Sequence, residues 1–174
     1  MNTKQVYSIR RSFLFPLGLL LLLTGALFVV CLLRGEPKAK LLILGLFMLP
    51  ITVLFVESIF RRTMLTEDRV IADKLLRKKE MKYSEMTALE TVSVRKRVFL
   101  TLCAGDEFLI ISNAYANFPR LVQSLLARVP AAAVSEETKQ MAAAPPVKST
   151  DVISCWLAVA LLAFILYIQL GGLP

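Results

Sequence analysis

Four cations fall within six positions of the stretch LLRKKEMKYSEM, residues 75–86: Arg77, Lys78, Lys79 and Lys82. A run of three more follows at Arg95, Lys96 and Arg97. Cations at this density can grip phosphate or carboxylate groups on a lipid, an acidic partner or a nucleic acid, or can serve only to keep a strand face solvated. In extended chain Arg77, Lys79 and Met81 point one way and Lys78, Glu80 and Lys82 the other, so the group is divided between two faces. Aromatic residues interleave poorly with it, Tyr83 and Phe99 being the nearest, which argues against stacking of nucleic-acid bases. If the turn holding Arg95, Lys96 and Arg97 lies near the Arg77 end of the sheet, the cations form one membrane-facing patch, each contributing about 1 kcal/mol toward an anionic surface.

Covalent and acid–base chemistry has little to work with. Glu85 with Glu90, or Asp73 with Glu80, make nominal carboxylate pairs, and Cys103 is a nominal nucleophile. The chain contains no histidine, which removes the commonest general base and the commonest metal ligand together. No Gly-rich phosphate loop precedes a helix, and the three cysteines have no metal-ligand spacing. The expectation is a protein with no catalytic residue, no cofactor and no metal, an unrecognised membrane enzyme being the remote alternative.

The elements that position these residues are set by hydrophobicity. Of 174 residues, 56% are hydrophobic, and they cluster in three runs at 13–33, 41–60 and 152–170. Each is long enough to cross a hydrocarbon core of about 30 Å as a helix. The first is longer than the apolar part of a secretory signal and lacks a small-residue processing site before Cys31, so it reads as a retained anchor. Cys31 and Cys155 fall within these spans and read as buried hydrophobes.

Orientation follows Lys and Arg. The tail 1–12 and the loop 34–40 carry three cations each, and the segment 61–150 carries fifteen. This places the tail 1–12 in the cytoplasm, 34–40 outside, 61–130 as a folded cytoplasmic block, 131–151 as a linker, and 171–174 outside. The net charge of +8 then suits a domain lying beside an anionic leaflet. Glu57 is the one ionisable residue inside a span. It lies near the end of its helix with Arg61 at i+4, the spacing of an interfacial ion pair. The spans offer few other polar groups, which argues against an ion pathway.

Within 61–130, RTMLT, RVIADKLL, RKKEMKY, ALETVSV, RVFLTLC and EFLIIS read as strands, with turns at Glu67-Asp68 and Ala104-Gly105-Asp106. RVFLTLC is apolar on both sides and reads as a central strand. In NFPRLVQSLLARV, Val122, Leu125, Leu126 and Val129 recur at helical spacing, with Asn117 as N-cap and Pro119 in the first turn. The fold class is therefore an α+β membrane protein: three transmembrane helices and a small antiparallel β domain ending in an amphipathic helix.

The stretch MLTEDRVIADKLLRKKEMKYSEMTALE, with its step Tyr83-Ser84-Glu85-Met86 between strands, and the closing ISNAYANFPRLVQSLLARV resemble the short bacterial pleckstrin-homology-like (PH-like) domains of small membrane proteins. The resemblance covers 61–130, where six strand candidates stand against the seven of the full fold. It implies a non-enzymatic interaction or scaffolding module, an accessory or assembly subunit at the cytoplasmic face of a bacterial inner membrane. The partners it implies are the phospholipid bilayer and a protein or a second copy of the chain, with no nucleic acid. The alternative is binding of anionic lipid or an acidic headgroup through Arg77, Lys78, Lys79, Lys82, Arg95, Lys96 and Arg97.

Overall fold

A computed structural model of the chain describes residues 4–94, 97–144 and 150–171. The fold is α+β, and the chain divides into a helical unit, residues 11–59 with 149–174, and a β unit, residues 1–10 with 60–148.

Three helices make up the first: α1 (Arg11–Leu33), α2 (Lys38–Phe60) and, after the β unit, α5 (Thr150–Gln169). All three are long and apolar enough to cross a membrane. α1 packs along α5, where the rings of Phe15 and Trp156 lie 6.0 Å apart. Its buried positions include Leu17, Thr24 and Cys31, a seven-residue repeat that keeps one stripe against its neighbour. Thr24 spends its hydroxyl on the carbonyl of Leu20 at 2.7 Å, which satisfies a polar group inside an apolar segment. Against α2 the close approach is at Gly18, where even a Cβ would lie 3.0 Å from the Phe55 ring.

The β unit holds β2 (Arg62–Leu65), β3 (Arg69–Lys74), β4 (Arg77–Lys82), β5 (Ala88–Val94), β6 (Arg97–Ala104) and β7 (Glu107–Ser112), then α3 (Phe118–Leu126) and α4 (Glu136–Ala143). A further strand precedes them all. Gln5–Ser8, expected to belong to a tail, forms β1 and pairs antiparallel with β2 from Gln5 opposite Leu65 to Ser8 opposite Arg62. Among the described residues there are two antiparallel sheets, ordered β1-β2-β3-β4 and β5-β6-β7. β6 is the central strand of the second sheet, the place its two-sided apolar pattern anticipates.

Alternation sorts each strand into an inward and an outward face. Leu65, Val70, Met81, Leu89, Val98, Leu100, Leu102, Leu109 and Ile111 are buried. The turn between β6 and β7 puts Gly105 at φ 58°, a conformation that a two-residue hairpin needs and that glycine adopts without steric cost. α3 begins after Asn117, itself left-handed at φ 52°, and has Pro119 in its first turn. Its buried stripe is Phe118, Leu121, Val122 and Leu125, with Val129 buried just beyond its end; of the four expected positions only Leu126 is half-buried.

The segment read as a linker also contributes to the β unit. Ser135 caps α4, its hydroxyl accepting from the Thr138 amide at 3.3 Å. The Thr138 hydroxyl, fully buried, reaches the Leu89 carbonyl at 3.1 Å and the Thr91 hydroxyl at 2.9 Å. Val134 bridges Leu89 in parallel register, so the chain's own segment lies along β5.

Candidate interaction surfaces

The β4 cations are spread along the strand and paired with acids. Arg77 to Lys82 spans about 16 Å at the rise of an extended chain. Lys78 Nζ lies 2.7 Å from Glu80, and Arg69 reaches both Asp68, at 2.9 Å, and Glu80, at 3.2 Å. Lys82 is 2.9 Å from Glu85. Lys79 is 3.6 Å from Glu107 and sits 5.3 Å from the centre of the Phe108 ring. Hydrogen bonds from Lys78 and then Arg69 pull the Glu80 carboxyl below its ordinary value; in return Glu80 holds Lys78 above its own, and Asp68, then Glu80, raise Arg69. Asp68 is lowered by Arg69 and Thr66 in the same way. These exposed pairs are individually weak, but they cancel much of the strand's charge.

Arg77 stands at the hairpin end of β4, opposite Lys74 of β3. Arg97 opens β6 opposite Val94. Arg95 and Lys96 lie outside the described residues. Of the nominal carboxylate pairs, Glu80 belongs to the Lys78–Arg69 network, Glu85 is paired with Lys82, Glu90 lies in the middle of β5, and Asp73 of β3 stands opposite Lys78. Cys103 is half-buried on the outward face of β6. Of the expected interfacial pair, Glu57 lies in α2 of the helical unit. Arg61 lies in the β unit, its guanidinium 5.9 Å from the centre of the Tyr115 ring, a cation–π partner.

The step Tyr83-Ser84-Glu85-Met86 is a corner between the sheets. Tyr83–Glu85 is a single 3-10 turn, and the Tyr83 amide donates to the Asp68 carbonyl at 2.9 Å. Tyr83 and Met86 are buried, Ser84 and Glu85 exposed. The Tyr83 hydroxyl is buried without a partner among the described residues, and burial pushes its pKa up to about 12 from an ordinary value near 10. The folded domain therefore favours the neutral phenol, while the unfolded chain gives up its proton two units earlier. Tyr83's contribution to stability is level below pH 10 and falls as pH rises from 10 to about 12. Urea unfolding of the full chain in detergent across that window should show the fall, and Tyr83→Phe should flatten it; an unchanged slope in the variant counts against the phenol as its source.

The outward face of the second sheet was not anticipated. Its rows run Val92–Phe99–Ser112, Glu90–Thr101–Ile110 and Ala88–Cys103–Phe108 across the three strands. Val92 is 48% exposed, Phe108 58% and Ile110 42%, with Lys79 of β4 lying over the Phe108 ring at one edge of the face. The signal was present in the sequence as β-branched and aromatic residues at the outward positions of three successive strands, but it needs the register to become one surface. The chain matches no known family model, and no curated protein or solved structure matches it either.

Proposed function

We propose that the chain is a non-enzymatic, PH-like interaction module anchored in a bacterial inner membrane with its β unit facing the cytoplasm, where it acts as an accessory or assembly subunit. Support for the PH-like reading comes from the seven strands, divided four and three, with a helix after the last. β1 supplies the seventh strand that residues 61–130 lack. Support for the cytoplasmic placement is the fifteen cations of 61–150 against three in 34–40.

The observation that carries the interaction role is the outward face of β5, β6 and β7. Water-exposed sheet faces usually alternate toward polar residues, whereas this one presents Val92, Phe99, Phe108 and Ile110 together. Covering such a face removes apolar area from water at about 25 cal/mol per Å². Its occupant is a protein surface, either another subunit or a second copy.

A photo-crosslinking residue placed at Ile110 in the full chain should give one discrete adduct in native membranes. The same residue at Glu67, in the turn between β2 and β3, should give none. The adduct's mass identifies a second copy or a different protein. An Ile110 position that stays uncrosslinked, or that crosslinks no more selectively than Glu67, overturns the role.

A further inference from the structure

The hairpin between β3 and β4 has an unusual tip. Lys74 pairs with Arg77, so Leu75 and Leu76 alone make the turn. Leu76 is 90% exposed and Leu75 42%. Two-residue hairpin turns favour Asn, Asp or Gly, which adopt positive φ, and neither leucine does so here. Leucine thus contributes nothing to the turn and leaves two large apolar side chains in water. A local rule broken without gain inside the fold points to a role outside it.

The register locates this tip. Arg62, at the start of β2, is opposite Ser8 of β1 on one side and Asp73 of β3 on the other, and Asp73 is opposite Lys78. The Leu75–Leu76 turn therefore lies at the end of the sheet where the chain runs from β1 toward α1 and enters β2 from α2. The opposite end carries the acidic turn Glu67-Asp68. At the tip the flanking charges are Lys74 and Arg77, with Lys78 tied to Glu80 and Asp73 the nearest acid in register.

We infer that Leu75 and Leu76 dip into the headgroup–acyl boundary of the anionic bilayer that holds the helices, with Lys74 and Arg77 on the lipid phosphates. Exposed leucines flanked by cations match the two layers such a surface offers, acyl chain within and anionic phosphate above. This goes beyond the interaction role, which rests on the second sheet, and either can fail alone.

The test uses the full chain reconstituted in vesicles of phosphatidylcholine with phosphatidylglycerol, in a Trp156→Phe background that removes the one native tryptophan. Leu76→Trp should emit at shorter wavelength than Glu67→Trp, and brominated lipid should quench it several-fold more strongly. Adding Lys74→Glu and Arg77→Glu, or omitting phosphatidylglycerol, should reduce the quenching. Equal quenching at Leu76→Trp and Glu67→Trp overturns the inference. So does a blue-shifted Leu76→Trp emission that bromine leaves untouched and that grows with protein density, since a second copy would then be the occupant. Quenching indifferent to both charge reversal and lipid charge overturns the role of Lys74 and Arg77.

Discussion

Leu102→Ala lowers the stability of the β unit by about 2–5 kcal/mol, a large part of the 5–15 kcal/mol that holds a typical domain together. Leu102 is fully buried in the central strand β6. Leu89 of β5 and Leu109 of β7 stand directly opposite it, both buried, so three leucines form one inward row. Truncating the middle one removes three carbons, Cγ and its two methyl groups, and leaves a cavity that its neighbours, held by ladders on both sides, can only partly fill. The comparison is with Ile110→Ala on the same sheet. Ile110 faces outward, so its truncation should cost less than about 0.5 kcal/mol while removing a contact of the proposed partner surface. Hydrogen exchange of the full chain in detergent, followed at the β6 amides against urea, measures both. Equal destabilisation by the two variants would mean that the inward and outward faces have been assigned wrongly.

The contrast between those two residues also shows what could be read from the chain. Membrane-spanning potential needs only length and apolarity, and the runs at 13–33, 41–60 and 152–170 correspond to α1, α2 and α5 to within three residues at each end. The strands of 61–112 declare themselves by alternation, and Pro119 marks the start of α3 by its place in the first turn. Features that depend on register did not declare themselves. Lys78 and Lys82 have Glu80 and Glu85 beside them in the sequence, but only strand pairing brings Arg69 of β3 to Glu80, and only the fold brings Glu107 of β7 to Lys79. Leu75 and Leu76 look like the end of a strand because nothing in their chemistry signals a turn. Thr138 looks like a linker residue until its hydroxyl is found on β5. β1 was hidden most completely: four residues, Gln5–Ser8, give too short an alternation to outweigh their place among charges before a long apolar helix.

Deleting residues 4–8 should therefore do far more damage than removing a tail, costing at least about 3 kcal/mol as hydrogen bonds and apolar cover are lost together. β1 covers one edge of β2, whose Thr63 and Leu65 are fully buried. The Ser8 carbonyl accepts from the Ala116 amide at 2.8 Å, and the Tyr7 hydroxyl lies 3.3 Å from the Ser124 hydroxyl on α3. Just beyond, Ile9 is buried and bridges Tyr115. The strand thus ties the first sheet to the turn after β7 and to α3. Because α1 and α2 lie between β1 and β2 in the chain, the proposed membrane anchoring adds a condition: if the two helices cross a bilayer, the pairing requires both ends of that hairpin to emerge on one side of it. Two helices of 23 residues, each about 34 Å long, are enough for such a return, and the 53 residues between Ser8 and Arg62 separate the strands in sequence without separating them in space. Under that condition folding of the β unit and insertion of the hairpin are coupled: a chain in which only one of the two helices crosses leaves β1 and β2 on opposite sides, unable to pair. Tyr7→Phe, which loses only the hydroxyl's contacts to Gln5 Oε1, at 3.2 Å, and to Ser124, should cost about 1 kcal/mol and leave the pairing intact. Limited proteolysis and hydrogen exchange at Arg62–Leu65 and Ala114–Ala116 read both variants. If the deletion leaves those amides as protected as in the full chain, β1 is a tail after all and the coupling does not exist.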